Sequence, residues 1–311
     1  MKRFLAILAG ISMLALISVF SVSYSQQSQE LGDSPKVIAR SRNYHGEQPF
    51  GPAKPGAAKP GSNGITYHGG PLMGVVGASP VSAYYIWYGN WSGNTATTIL
   101  TDLMQNIAPS PYYNINTTYY NGSGAHVVNS VTYGGSTNDN YSRGTSLSDS
   151  AIQAIVSDAI TSGRLPNNTS GIYFVLTSAD VTASSGFCTS YCGWHTYGTI
   201  AGSNIKYSFV GNPDRCPSAC AAQTVSPNGN AGADGMASII VHELEEAVTD
   251  PNINAWYAGR YQENADKCAW TFGTTTTLPS GAKYNMTLGS RNYLIQQNWV
   301  NDAGGYCAKS Y

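Results

Sequence analysis

The sequence has little charge and very little glutamate. Charged residues make up 11% of its 311 residues, and the net charge is −1. Proteins that bind nucleic acid need a clustered basic surface, so this composition argues against that class of partner. Only six glutamates are present, and four of them fall within 21 residues: Glu243, Glu245, Glu246 and Glu263. The concentration of acid behind His242 is therefore the first feature that needs a chemical explanation.

Long apolar runs are also absent, except at the N-terminus. Lys2 and Arg3 precede an apolar run over 4–22 and small residues before Gln26, which predicts a secretory signal peptide over residues 1–25. An uncleaved anchor is the alternative, since a run of this length can span a bilayer. The short signal is typical of a bacterial protein. We therefore expect a secreted, extracellular protein, or a periplasmic one in a Gram-negative cell, with no membrane contact after signal removal.

The chain has few cysteines, but their number is even. An even number of cysteines in an exported chain favours disulfides. The spacing C-x3-C occurs twice and could instead hold one zinc through four thiolates. The last two cysteines, Cys268 and Cys307, are expected to bridge the C-terminal end to the segment behind the acidic cluster. The full set is Cys188, Cys192, Cys216, Cys220, Cys268 and Cys307.

The pattern along the chain predicts an α/β fold. Residues 26–63 are rich in proline and glycine and predict a flexible linker, and residues 64–311 are expected to form a single disulfide-bonded domain. Alternating strands and helices indicate a mixed sheet with flanking helices. The predicted strands are 80–90, 126–135, 171–181 and 205–212, and the predicted helices are 95–108, 146–165 and 233–250.

The third helix carries the acidic cluster, "VHELEEAVTDP". Asp234 is a reasonable N-cap, and Asp250-Pro251 ends the helical pattern. His242 and Glu246 are four residues apart, so they project from one face, with Glu243 beside them. This HExxE arrangement is similar to the zincin motif, in which residues i and i+4 bind zinc and the glutamate between them acts as the general base. The sequence thus predicts a zincin-like active-site helix.

A third metal ligand must come from elsewhere in the chain. We rank Glu263 first, because acids at this distance downstream serve as the third ligand in Glu-type zincins. His195, in "FCTSYCGWH", is the alternative ligand. Asp266 is expected in the second shell or as another alternative ligand.

Other interpretations of these acids are possible. A solvated acidic face needs no metal, and Glu243 with Glu263 could form a glycosidase pair. Solvated faces usually pair acid with lysine, however, and this helix has no lysine or arginine. Given five histidines and so few glutamates, about 0.002 chance matches to HExxE are expected. We therefore favour a metal site binding Zn2+.

Several segments of the chain resemble segments of one protein family, and they occur in the same order along the sequence. They include "ITYHGGPLMG", "VSAYYIWYGNWS", "GIYFVLTSADV", "FCTSYCGWH", "FVGNPDRCPSAC" and "PNGNAGADGMA". From about Ile65 to the C-terminus the chain resembles the EXORDIUM or phosphate-induced protein 1 family of exported plant cell-wall proteins. The resemblance implies secretion and no established enzymatic activity.

Two functions follow as hypotheses. The first is a secreted metal-dependent hydrolase, peptidase-like, in which Glu243 activates a metal-bound water. The second is a non-catalytic extracellular protein that binds cell-wall glycan or signals, with a structural metal or none. The expected partner is peptide in the first case and wall glycan in the second.

Overall fold

Short and long strands make up much of the fold. The structure, a computed structural model, describes residues 64–259, 261–302 and 304–311, so the predicted signal peptide and linker lie outside the described residues. The strands are, in chain order, β1 (Thr66–Tyr67), β2 (Val81–Tyr88), β3 (Val131–Asp139), β4 (Ser146–Leu147), β5 (Gly171–Thr177), β6 (Thr182–Ala183), β7 (Gly193–Ile200), β8 (Ser203–Val210), β9 (Trp256–Tyr257), β10 (Thr276–Thr277), β11 (Lys283–Tyr284), β12 (Met286–Leu288), β13 (Arg291–Tyr293), β14 (Asn298–Val300) and β15 (Tyr306–Ala308).

Five of these strands form the central sheet, in the order β3-β2-β5-β8-β7. The first four are parallel, and β7 runs antiparallel to β8. Of the three inner strands, β2 and β5 are buried along almost their whole length, as their runs of apolar and aromatic residues predict. The predicted α/β class with a mixed sheet is confirmed.

The described helices are α1 (Ala96–Asn106), α2 (Asp149–Thr161), α3 (Pro217–Cys220) and α4 (Ala231–Thr249). Ser148 begins α2 by accepting a hydrogen bond from the backbone N–H of Ala151. For α4 the predicted cap is wrong, because Asn230 accepts from the N–H of Ala233 in that role. Asp234 lies inside the first turn, where its carboxylate accepts from the amide of Asn228.

The antiparallel edge strand β7 was not predicted. Its sequence, "GWHTYGTI", contains two glycines and follows a disulfide-rich loop, so it lacks the alternation that identifies a strand. The predicted strand 126–135 also begins later, at Val131. The predicted helices at 95–108 and 146–165 are confirmed, with ends a few residues inside the predicted ones.

All six cysteines form disulfides. Cys188 pairs with Cys216 and Cys192 with Cys220, so the alternative of a four-thiolate zinc site is wrong. Both bonds tie the segment before β7 to the region of α3. The predicted bridge between Cys268 and Cys307 is confirmed.

In the described ranges no helix is both long and apolar enough to span a bilayer.

Candidate metal centre

Helix α4 buries three glutamates that hydrophobic packing alone does not explain. It lies against β7 and β8 on one side and near the C-terminal strands on the other. Glu243, Glu245 and Glu246 are all fully buried. An ionised carboxylate in a protein interior is costly unless it is paired, hydrogen-bonded or bound to a cation. The partners of these three side chains therefore determine what this part of the protein can do.

The first group of candidate metal ligands consists of His242, Glu246 and Asp266. His242 Nε2 lies 3.0 Å from Glu246 Oε1, as expected for residues one helical turn apart. The same nitrogen lies 3.7 Å from Asp266 Oδ1. The backbone N–H of Asp266 also donates to Glu246 Oε1 at 3.1 Å, which fixes that oxygen. These three side chains can therefore present one ligand atom each to a single ion.

A second group uses the other oxygen of Glu246. His195 Nδ1 lies 3.5 Å from Glu243 Oε2 and 3.6 Å from Glu246 Oε2. His195 comes from β7, and the antiparallel register with β8 places it opposite Ser208. A Cβ on Gly193 would lie only 3.0 Å from Glu243 Oε1, so a glycine at this position makes room for the carboxylate.

The far side of the His195 ring faces two further groups. Its Nε2 lies 3.4 Å from the backbone oxygen of Asp250 and 3.7 Å from Glu263 Oε1. The Asp250 carboxylate accepts from the backbone N–H groups of Asn254 and Ala255, at 2.5 and 2.6 Å. With the proton on Nε2, the Nδ1 lone pair of His195 points at Glu243 and Glu246.

In the metal-free protein the two histidines supply the positive charge. Burial lowers the pKa of His195, but Glu263, Glu243 and Glu246 outweigh it and hold that pKa well above its usual value. Burial likewise lowers the pKa of His242, and Glu246 and Asp266 raise it well above the ordinary range. Histidine is therefore the counter-charge to these acids when no metal is bound.

The carboxyl groups divide into one whose pKa is lowered and others whose pKa values are raised towards neutrality. Burial raises the pKa of Glu246, yet the two histidines lower it further, to about 2. Burial, with Glu246 nearby, raises the pKa of Glu243 to about 7 and that of Asp266 to about 6. Burial also raises the pKa of Asp250 to about 6. The buried side chains around Glu246, here called the chamber, therefore hold more acid than the two histidines can neutralise; they are His195, His242, Glu243, Glu246, Asp250, Glu263 and Asp266.

The spacing of the atoms fits a small divalent ion. Two ligand atoms bound tetrahedrally at the usual zinc distances lie about 3.4 Å apart. The contacts of His242, at 3.0 and 3.7 Å, bracket this value, and the contacts of His195 Nδ1, at 3.5 and 3.6 Å, are close to it. Imidazole nitrogen and carboxylate oxygen are both zinc ligands.

Glu245 points away from this chamber. Its Oε2 accepts from the amide of Asn298 at 2.9 Å, and burial raises its pKa well above the usual value, although the neighbouring Asn116 and Asn298 oppose the shift. Tyr112 and Tyr113 lie on the same side, since Glu245 raises their pKa values. The hydrogen-bond donor to Glu245 is thus a neutral amide.

The structure brings all the predicted site residues into one chamber, but it reorders them. Asp266, ranked last as a ligand, is the one that faces both His242 and Glu246. Glu263, ranked first, lies beside His195 Nε2 and Glu243 lies beside Nδ1, so the imidazole ring separates the two carboxylates. The gathered residues are His195, His242, Glu243, Glu246, Glu263 and Asp266.

Sequence reasoning missed Asp250, which it used only as the end of the helix. The residue follows Glu246 by four, as Glu246 follows His242, so the same spacing argument would have placed it on the metal-facing side. Its backbone oxygen contacts His195 and its side chain holds the chain turn after α4. Asp250 therefore connects the helix end to the edge strand.

Comparison with known proteins agrees with the resemblance found in the sequence. Residues 65–309 match the family model described as the phosphate-induced protein 1 conserved region. The protein EXORDIUM-like 3 of Arabidopsis thaliana is 33% identical over 283 residues, covering 78% of this chain and 82% of its own. EXORDIUM-like 5 of the same plant is 34% identical over 276 residues, covering 76% and 75%.

A more distant relative is the protein PHOSPHATE-INDUCED 1 of Nicotiana tabacum, 26% identical over 226 residues, which cover 63% of this chain and 67% of the relative. No solved structure matches the chain. The family match spans both the central sheet and α4, and so includes every residue of the chamber. The chain belongs to the phosphate-induced protein 1, or EXORDIUM, family.

Proposed function

We propose that this chain is a secreted, zinc-dependent hydrolase with peptidase-like chemistry. The first metal position consists of His242, Glu246 and Asp266, and Glu243 is the general base. The observation that supports it best is the placement of His242 Nε2 within 3.0 and 3.7 Å of carboxylate oxygens from two different segments. In the described part of the chain, no lysine or arginine forms an ion pair with Glu243, Glu246 or Asp266.

Each residue has a distinct task in this proposal. Zinc, when bound, would polarise an acyl carbonyl and make water more acidic. Glu243 follows His242 directly, and its carboxylate lies in the same chamber, where it can accept a proton from water and return it to the leaving group. Asp266 has a side chain that is 13% exposed, whereas His242 and Glu246 have none, so substrate would approach from the side of Asp266.

Export fits the covalent structure. Three disulfides and no free cysteine are typical of proteins that fold in an oxidising compartment. A peptide or another acyl compound outside the cell would then be the substrate.

Burial favours a second candidate function. Structural zinc sites are closed, whereas catalytic sites keep an open position, and His242, Glu243 and Glu246 are almost fully buried. In that case the ion would stabilise the fold of a non-catalytic protein that binds wall glycan or takes part in signalling.

Metal analysis of the purified mature protein tests both functions. Under the first, the protein contains stoichiometric zinc and cleaves internally quenched peptides, and Glu243→Gln removes cleavage while keeping the ion at His242. Under the second, zinc is present and chelation lowers the melting temperature, but no peptide is cleaved. A protein that binds no zinc rules out the hydrolase and the structural ion, and leaves only a non-catalytic protein without a metal.

A further inference from the structure

We propose that the chamber binds two divalent cations and that Glu246 bridges them. The first position is the one in the proposed function, on which this inference rests: His242, Asp266 and Glu246 Oε1. The second position consists of His195 Nδ1, Glu243 Oε2 and Glu246 Oε2, which leaves Glu243 Oε1 as the oxygen that accepts the proton in the proposed function. Two-metal hydrolases commonly hold their ions about 3.5–4 Å apart, and a carboxylate with one oxygen on each ion produces such a pair.

The contacts of Glu246 show this division directly. Its Oε1 lies 3.0 Å from His242 Nε2, and its Oε2 lies 3.6 Å from His195 Nδ1. The two histidines come from different elements, α4 and β7, and approach the carboxylate at different oxygens. Each oxygen also belongs to a separate group of three side chains with ligand atoms close enough to share an ion.

The second position contains buried polar atoms without hydrogen bonds. His195 Nδ1, both carboxylate oxygens of Glu243 and Glu246 Oε2 are fully buried and have no hydrogen-bond partner in the described structure. Their mutual distances of 3.5 and 3.6 Å are too long and poorly directed for hydrogen bonds. They are suitable for atoms that share a metal ion, which satisfies all of them at once.

The charge of the chamber also favours two ions. Glu243, Glu246, Asp250, Glu263 and Asp266 are all buried or nearly buried and would carry five negative charges if all were ionised. One divalent cation leaves three of these charges uncompensated in a buried site, whereas two divalent cations leave one. Neutral histidines, which metal binding requires, add no positive charge.

The surroundings of His195 are those of a metal ligand. Ligating histidines usually direct their other ring nitrogen at a backbone carbonyl or a carboxylate, which fixes the ring. His195 Nε2 has both, with the Asp250 oxygen at 3.4 Å and Glu263 Oε1 at 3.7 Å. This arrangement gives Glu263 a positioning role.

The test is a competition titration of chelator-treated mature protein with Zn2+ against a fluorescent zinc indicator. We expect about two equivalents for the wild type and about one for His195→Ala. His126→Ala, which removes a histidine outside the chamber whose Nδ1 contacts the Thr117 carbonyl, should keep both. If the wild type binds one equivalent that His242→Ala removes, the second position is wrong and the first stands. No binding would refute both positions.

A spectroscopic measurement on the wild type covers the case in which His195→Ala does not fold. The mature protein loaded with two equivalents of Mn2+ should give an exchange-coupled electron paramagnetic resonance signal, because a shared carboxylate couples the two ions. Two independent, uncoupled Mn2+ spectra would overturn the bridge.

Discussion

The two sides of helix α4 bury glutamate in different ways. On one side Glu243 and Glu246 share a chamber with two histidines and further acids. On the other side Glu245 accepts a hydrogen bond from the amide of Asn298 and lies near Tyr112 and Tyr113. Both sides are equally buried, so burial alone does not distinguish a candidate metal site from a structural carboxyl group.

The two sides of α4 differ in how they reduce the free-energy cost of burying a carboxylate. A single carboxyl group among neutral neighbours can keep its proton, and the pKa of Glu245 is raised accordingly. In the chamber, Glu246 stays ionised while its neighbours are pushed towards the protonated form. A cation resolves that competition for all of them, which is why the chamber, and not the Glu245 side, is the candidate metal site.

Replacing Glu246 should have the largest effect on the difference in metal binding between the two sides of α4. Glu246→Ala removes an oxygen from each metal position, and we expect zinc affinity to fall by more than about 100-fold, beyond the 10–100-fold typical of changes behind the ligands. The same titration on Glu245→Gln provides the matched control. Equal affinity in the wild type and Glu246→Ala would contradict both positions.

Chelation should make the stability of the protein depend strongly on pH. The pKa values of Glu243, Asp250 and Asp266 are raised on folding, so the folded state binds more protons than the unfolded state between about pH 4 and 7. Stability therefore falls as pH rises through this window, and the raised histidine pKa values continue the fall above pH 6.5. Glu246, with its lowered pKa, acts oppositely only below about pH 4.5.

Thermal unfolding in EDTA at pH 5 and pH 8 measures this effect. Each unit of raised pKa corresponds to about 1.4 kcal/mol, so we expect the melting temperature to be lower at pH 8 by at least about 5 °C. Zinc should remove most of the difference, because it replaces the protons. A melting temperature in EDTA that increases with pH would contradict the assigned directions.

Gly193→Ala should lower the free energy of unfolding moderately and should disturb only the side of α4 that faces the chamber. The new Cβ would lie 2.6 Å from Ile239 Cγ2 and 3.0 Å from Glu243 Oε1, and such overpacking costs about 1–3 kcal/mol. We also expect weaker binding of the second zinc equivalent. Gly259→Ala, where nothing lies within 4 Å of the added Cβ, is the control and should match the wild type in denaturant unfolding and zinc titration.

The smallest effect is expected from Glu245→Gln. A neutral amide of the same shape can replace a protonated carboxyl group and keep the hydrogen bond at Asn298, so unfolding free energy should change by less than about 1 kcal/mol. Zinc binding should be unchanged. A loss above about 3 kcal/mol in denaturant unfolding would show that Glu245 is ionised in the fold.

The helices and inner strands of the fold could be predicted from the sequence because their patterns are local. α2 has a serine cap and apolar residues on one face, and β5 is a continuous apolar run. The edge strand β7 could not be predicted, since its pairing with β8 and the disulfides at its start are tertiary features. The cap of α4 was misplaced by four residues because Asn230 and Asp234 are both suitable residue types.

The candidate site shows the same division. The helical spacing of four placed His242 and Glu246 on one face, and it did so without any tertiary information. Choosing among Glu263, His195 and Asp266 depended on loops whose paths are not encoded in a local pattern. Linear distance favoured Glu263, whereas the turn at Asp266–Cys268 directs Asp266 towards His242.

The sequence by itself determined the fold class, the family and the acidic helix, because periodicity, composition and motif order are properties of the chain. Tertiary structure decided which side chains meet. It turned Glu245 away from Glu246, placed His195 from a distant strand against Glu243, and put Asp266 rather than Glu263 beside His242. Those decisions depend on packing between elements far apart in the chain, which determines the ring nitrogen that each carboxylate faces.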